Sequence, residues 1–186
     1  MAKDKKKKNC KPKKPPVDPT TLPYRPCVGV MLLNERGQVF VGRRVGQPDA
    51  WQMPQGGIDK GEDALTAGLR ELEEEIGVPP AAVAVLAATT EPLRYDLPPD
   101  LSGKVWKGKW RGQEQTWLCA RLTGPESAID LDTDHPEFDD WKWVAAEDLP
   151  GMIVEFKRAV YEAVVAEFLP IVAAAREAAT ATPSEY

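Results

Sequence analysis

The sequence predicts one α/β domain, and three stretches carry that expectation. Residues 27–33 (CVGVMLL) and 39–41 (VFV) are apolar runs joined by the turn-prone Asn34-Glu35-Arg36-Gly37, the pattern of two strands and a tight connection. Residues 62–76 form a glutamate-rich segment entered through glycines and left through Gly77 and Pro79-Pro80, the punctuation of a short helix. Residues 151–178 read as the longest helix, with Ile153, Phe156, Val160, Val164 and Phe168 approximating one apolar stripe. A chain of 186 residues, 42% hydrophobic and 28% charged, can bury one real core.

In chain order, a tail comes first. Residues 1–22 are Lys- and Pro-rich with almost no large apolar groups. They bury too little surface to offset the entropy of ordering, so disorder is expected there. Residues 1–16 hold eight lysines against Asp4, a net of +7; with the whole chain at −5, the remainder carries −12. An acidic body with a basic arm is not the footprint of a duplex-binding domain. The arm reads as a solvated tail, with capture of RNA through its phosphates as the other reading. The domain itself is expected over residues 23–178, with 179–186 frayed. No apolar run approaches about 18 residues, and the N-terminal lysines lead into no apolar segment, so neither a membrane partner nor a secretory signal is expected. Cys10, Cys27 and Cys119 are odd in number and lack metal-like spacing, which fits reduced thiols in a cytoplasmic protein. The lone His135 supplies no histidine-based metal site.

Tyr24-Arg25-Pro26 opens the domain. The second strand ends at Arg43-Arg44, which are plain surface or, beside a phosphate site, contacts. Trp51-Gln52-Met53 and the turn Pro54-Gln55-Gly56-Gly57 lead to the helix, where Glu71, Glu73, Glu74 and Glu75 crowd together. Glu71 lies three and four positions from Glu74 and Glu75, so these side chains share a face with Cβ atoms roughly 5–6 Å apart. Like charges so placed weaken a bare helix. The face is either solvated acidic surface or a seat for a hard divalent cation, since Mg²⁺ is commonly held by a few carboxylates plus substrate phosphates. Ala64, Leu65, Leu69 and Leu72 are the expected buried side, closed by Ile76 and Val78.

Residues 81–90 read as a turn and a strand, followed by PLRYDLP (92–98) and KVWKGKWRGQEQTWLCARL (104–122). In the latter, TWLCARL is an ordinary strand with the Trp117 indole in the core. Trp106 and Trp110 lie in a loop among Lys104, Lys107, Lys109 and Arg111. Basic residues interleaved with aromatics can bind single-stranded nucleic acid, and their role stays open at this point. Trp141 and Trp143 alternate about Lys142 in a further strand, with Glu137 at its entry. Pro170 should kink or restart the last helix.

The glutamate segment fits G-x5-E-x7-R-E-U-x-E-E-x-G-U, U being aliphatic, at every fixed position. Gly56, Glu62, Arg70, Glu71, Leu72, Glu74, Glu75, Gly77 and Val78 fill it. It resembles the box of the Nudix hydrolases. That resemblance implies a Nudix fold, an α-β-α sandwich around a mixed sheet. It also implies hydrolysis of a nucleoside diphosphate linked to another group, with Mg²⁺ or Mn²⁺, and a structural brace between Glu62 and Arg70. Across residues 24–170 the chain is similar to one branch, the RNA pyrophosphohydrolases with the closely similar diadenosine tetraphosphate hydrolases. The shared runs are YRPCVGVMLLN, WQMPQGGI, LRYDLP, GQEQTW, PEFDDWKWV and VEFKRAVY.

The narrower resemblance implies metal ligands at Glu71, Glu74, Glu75 and Glu137; among the box glutamates Glu71 is the candidate general base, equally readable as a ligand only. It implies phosphate contacts at Arg25, Arg44 and Lys157, and a base-stacking surface at Phe156, which fits the core stripe equally well. Gln115-Thr116-Trp117 departs from the Q-K-W frequent in the branch, so a lysine able to touch phosphate is missing. The implied substrate is 5′-triphosphorylated RNA, cut to a 5′-monophosphate end ahead of decay. A dinucleoside polyphosphate is the alternative. A third reading is a non-catalytic domain that binds a nucleotide, against which the complete glutamate set argues. No protein partner is inferable.

Overall fold

The structure, a computed structural model of the chain, describes residues 18–134 and 136–181. Its strands are β1 (Tyr24–Leu33), β2 (Val39–Arg44), β3 (Trp51–Gln52), β4 (Gln55–Gly57), β5 (Val83–Ala88), β6 (Leu93–Asp96), β7 (Gly112–Leu122) and β8 (Phe138–Val144). Its α-helices are α1 (Ala64–Ile76), α2 (Leu149–Met152) and α3 (Arg158–Ala181). The strands form one mixed sheet of order β3-β2-β1-β7-β5, with β4 also on β1, β6 on β7 and β8 on β2. β1 and β7 run parallel, from Tyr24 opposite Gly112 to Leu33 opposite Arg121. The other pairs are antiparallel.

Strand side chains alternate between the two faces of a sheet. In β1, Val28, Val30 and Leu32 face one cluster, completed by Ala67, Leu72 and Ile76 of α1. Met31 and Leu33 face the other, completed by Val160, Tyr161, Val164, Phe168 and Val172 of α3. β7 does the same with Leu118, Ala120 and Leu122 against Trp117 and Cys119. Both faces are covered, which is why CVGVMLL reads as an unbroken apolar run and not as an alternation. The outcome is the α-β-α sandwich expected from the resemblance.

One local event positions the functional residues. β1 pairs with β2 only where Leu33 meets Val39. There the chain turns through Asn34, whose Oδ1 accepts from the Arg36 and Gln38 amides, both at 2.9 Å. Below that point the strands part. β4 takes the edge of β1, with Val28 opposite Gly56, while β2 turns to β8, with Arg44 opposite Phe138. The sheet is split there, and α1 lays its glutamates along the split. Asp63 caps α1 by accepting from the Thr66 amide at 2.8 Å, and Gly77, at φ 68°, ends it in the left-handed conformation.

Several expectations need correction. Asp18–Leu22, placed in the tail, form a 3-10 turn over Pro19–Thr21, capped by Asp18 and held to the domain by Arg111, which donates to the Thr20 carbonyl at 3.1 Å. The long helix does not begin at 151. α2 ends at Met152, Ile153 and Val154 are extended, a 3-10 turn covers Glu155–Lys157, and α3 starts at Arg158. Ile153 still reaches the core, but from this break. α3 does not restart at Pro170 and runs helical through it to Ala181, beyond the expected end at 178. Pro170 and Ala166, the residue whose carbonyl lacks that amide as a partner, are both exposed. Leu65 is exposed and Leu69 half-buried, because the buried stripe of α1 is Ala67, Gly68, Glu71, Leu72, Glu75 and Ile76. Trp117 is in the core as expected, its indole N–H donating to Gln115 at 3.2 Å. Cys10, His135 and residues 1–17 and 182–186 lie outside the described residues. Cys27 and Cys119 are free and buried. No described helix is long and apolar enough to cross a membrane.

Candidate active site

The site is built where β4 meets α1. Gly56 is where it must be: a Cβ there would fall within the Glu71 carboxyl group. Only a glycine lets that glutamate lie against the strand. Glu71 and Glu75 are buried, whereas Glu73 and Glu74 are exposed. The three expected ligands on α1 are therefore two inner carboxylates and one outer.

Arg70 organises them. Its Nε and Nη2 donate to the two oxygens of Glu62, both at 2.9 Å, and Nη2 also donates to the Gly57 carbonyl at 2.8 Å. Nη1 bridges Glu71 at 2.8 Å and Glu74 at 3.0 Å. Glu62 also accepts from the Asp59 amide at 3.0 Å, which ties the loop to the helix. The Arg70 hydrogen bonds, more than this amide, hold the Glu62 carboxyl at about 2. Glu62 itself lies in the loop before α1 and not, as expected, at the start of the helix.

Burial pushes the Glu71 carboxyl up, and the Arg70 bonds draw it partway back. Glu75 is pushed well above the usual carboxylate range, first by burial and then by Glu137 and Glu71. Its Oε2 accepts from the Gln55 amide at 3.1 Å, while its Oε1 is buried without a hydrogen-bond partner. A buried oxygen left so is costly in the metal-free protein. An all-oxygen donor set with such an orphan fits a hard divalent cation. As the side chains stand, no three carboxylates among the described residues close around one point, because Arg70 draws Glu71 and Glu74 to itself.

Glu137 comes from the other lip of the split. It precedes β8, where a register shift at Arg43/Arg44 accompanies the end of pairing, and its carbonyl accepts from the Val45 amide at 3.0 Å. Glu137, Asp134 and Thr133 face Glu71, Glu74 and Glu75 across a cleft of about 520 Å³.

A second cavity, of about 330 Å³, shares Glu71 and Glu137 with the first and is otherwise cationic and polar. Arg25, Arg44 and Lys157 all line it, so the structure brings the three expected phosphate contacts to one place. The strand alternation sorts the arginine pair. Arg43 is tied to Asp139 at 2.7 Å and Asp140 at 3.4 Å, whereas Arg44 enters the cavity, 3.8 Å from Glu137. Burial, and then Arg44, lowers Lys157 to about 8. Phe156 is not among the lining residues. It is half-buried on the margin of the core, its ring 5.5 Å from that of Tyr95.

Sequence reasoning missed Tyr95, Gln52, Gln55 and Gln113 as cavity walls and left Trp106 open. Tyr95 donates to Gln113 at 2.7 Å, and Gln115 donates to Gln113 at 2.9 Å and to Gln55 at 3.2 Å. A signal existed: Gln113, Gln115 and Trp117 share one strand face by period two, and amides on a core-facing row demand partners. Thr116, standing where a lysine is frequent, lies on the opposite face, beside Val28.

Gly56→Ala follows as a prediction. The methyl group would displace the Glu71 carboxylate, so activity should fall about 10–100-fold, the usual cost of disturbing what orients a metal ligand. Circular dichroism and steady-state rates check it; full activity would show that Glu71 can work from elsewhere.

Comparison with known proteins gives the family and the fold. A family model for the NUDIX domain matches residues 23–164. A protein of Cereibacter sphaeroides named RNA pyrophosphohydrolase is 53% identical over 155 residues, 83% of this chain and 96% of its own length. One of Rhodospirillum rubrum with the same name is 56% identical over 153 residues, 82% of this chain and 92% of its own. A crystal structure of a C. elegans Ap4A hydrolase binary complex superposes with a TM-score of 0.58, at 20% identity, covering 78% of this chain and 98% of that one; at this identity the likeness concerns the fold. With the domain matched over that span and relatives at 53–56% identity, the chain belongs to the Nudix family, as a hydrolase of pyrophosphate bonds that works with a divalent cation.

Proposed function

We propose that this chain is an RNA pyrophosphohydrolase that converts the 5′-triphosphate end of RNA to a 5′-monophosphate, with Mg²⁺ as its cation and Mn²⁺ as a substitute. The step prepares a transcript for decay in the cytoplasm. The observation that carries the reading is the junction of the two cavities. A cleft of carboxylates and a cleft of cations meet at Glu71 and Glu137. A polyphosphate chain needs both, one to hold the cation and one to neutralise its own charge. The name shared by the relatives above supports the RNA end as substrate.

Glu71, Glu74, Glu75 and Glu137 would hold the cation. When bound, it supplies charge neutralisation of the phosphate oxygens and a lowered pKa for water. Arg25, Arg44 and Lys157 bind and orient the polyphosphate. Glu71, the box glutamate that lines both cavities, is assigned the proton of the attacking water. Glu62 and Arg70 brace the loop, and Gly77 ends the helix so that this face stays in register. The full carboxylate set speaks for turnover over mere binding.

The test compares kcat/KM for a short 5′-triphosphate RNA and for diadenosine tetraphosphate, with Mg²⁺. Hydrolysis of both is expected, with the RNA at least as good. Cleavage of the dinucleotide with no release of phosphate or pyrophosphate from RNA would overturn the reading and favour a dinucleoside polyphosphate hydrolase.

A further inference from the structure

Trp106 is used neither by the core nor by the chemistry described so far. It belongs to neither core cluster, yet it is half-buried and lines the cationic cavity. The guanidinium carbon of Arg25 lies over its ring, 5.5 Å from the centroid. The same Arg25 reaches over Gly57, where a Cβ would strike its Nη2. Arg25 is thus held between the β4 backbone and the indole, which lines the same cavity as Arg44 and Lys157.

The backbone sets it there at a cost. Trp106 (φ 49°, ψ 34°) and Lys107 (φ 59°, ψ 27°) are the only non-glycine residues at positive φ among the described residues. A left-handed conformation at two successive residues with Cβ atoms is disfavoured, and such outliers cluster at ligand clamps. Lys104, Lys107 and Lys109 are neighbours of Trp106 in the same loop, exposed and without ion-pair partners among the described residues, and the cation over the ring itself is Arg25. A flat aromatic presented beside cations at the mouth of a phosphate site is what a nucleobase stacks on.

We propose that Trp106, not Phe156, is the stacking platform for the base of the 5′-terminal nucleotide, the first base beyond a polyphosphate held by Arg25, Arg44 and Lys157. The inference rests on the RNA pyrophosphohydrolase reading. Stacking on an indole is tolerant of sequence, because every base has a π-face. The platform therefore admits any 5′ nucleotide and selects for the presence of a base.

The experiment uses the full chain with Mg²⁺ and two short 5′-triphosphate RNAs, identical except that one carries an abasic 5′-terminal residue. Trp106→Ala should lower kcat/KM on the ordinary RNA about five- to 150-fold, mainly through KM. Trp106→Leu, with bulk but no stacking face, should behave like alanine, and Trp106→Tyr should recover most of the loss. The abasic RNA, already a poorer substrate, should be indifferent to all three. Equal losses on both RNAs, or no recovery by tyrosine, would overturn the platform and leave Trp106 as a shield for Arg25. If the unmodified chain cleaves neither RNA, the underlying function fails and the platform falls with it.

Discussion

Glu75→Gln should lower turnover about 1,000-fold and at the same time raise the melting temperature of the metal-free protein. The two effects share one cause. Glu75 is 3% exposed, and burial is the main reason its carboxyl stands well above the usual range, with Glu137 and Glu71 adding to it. A carboxylate whose folded pKa is raised leaves the fold unpenalised below its unfolded value of about 4.3 and penalised as pH rises through the folded pKa. At neutral pH in the absence of cation, the protein carries that penalty. Glutamine removes it: its carbonyl can still accept from the Gln55 amide, and its amide can donate towards Glu137. The gain in Tm is about 2–4 °C for each kcal/mol relieved in a domain of this size. An amide is a poor replacement for an anionic ligand of a hard cation. Losing several kcal/mol of charge stabilisation, at 1.36 kcal/mol per decade, gives the predicted fall in rate. Melting in EDTA and kcat at saturating Mg²⁺ are the two measurements. A variant that is less stable without metal, or that turns over normally, would remove Glu75 from the cation site.

That trade also shows what could be read from the sequence. The box spacing named Glu71, Glu74 and Glu75, the apolar runs of β1 and β7 read as strands, and the sandwich around them came from the family resemblance. Which glutamates are buried was not legible. Apolar periodicity puts Leu65 on the buried side and the glutamates on a separate face, whereas Glu71 and Glu75 are buried and Leu65 is exposed. The stripe from Ile153 to Phe168 looked like one helix because side-chain pattern does not register an extended pair such as Ile153-Val154 between two helical segments. That break matters, since it turns Lys157 into the cavity and leaves Phe156 on Tyr95. The cavity walls come from β4, β6, β7 and the 105–108 turn, segments far apart in the chain. Only the sheet register brings Gln55, Tyr95 and Gln113 together, and only a left-handed backbone aims Trp106, neither of which periodicity encodes.

Lys157 makes the second large prediction, on pH. The residue is 8% exposed, and its ammonium is lowered to about 8 by burial, with Arg44 as the next cause; Cys27, Glu75 and Glu137 act in the opposite direction. The Tyr95 ring stands 5.5 Å from it. An unfolded lysine titrates near 10.4, so on this group's account the fold is penalised below about 8 and relieved as pH rises towards 10.4. Substrate binding has the opposite sign, because the phosphate needs the charged form. The pH dependence of kcat/KM reports the free enzyme, so kcat/KM for 5′-triphosphate RNA should decline as pH rises through about 8, even as Lys157 becomes less of a burden to the fold. Lys157→Met should cost about 2–5 kcal/mol of substrate interaction at neutral pH, roughly 30- to 3,000-fold in kcat/KM, as for loss of one member of a buried charge pair. It should also abolish the alkaline decline and raise Tm at neutral pH. Lys157→Arg, which stays charged throughout, should keep the charge and shift the decline beyond the accessible range. Persistence of the same alkaline decline in Lys157→Met would assign it to another group and leave Lys157 as a structural residue of the cavity wall.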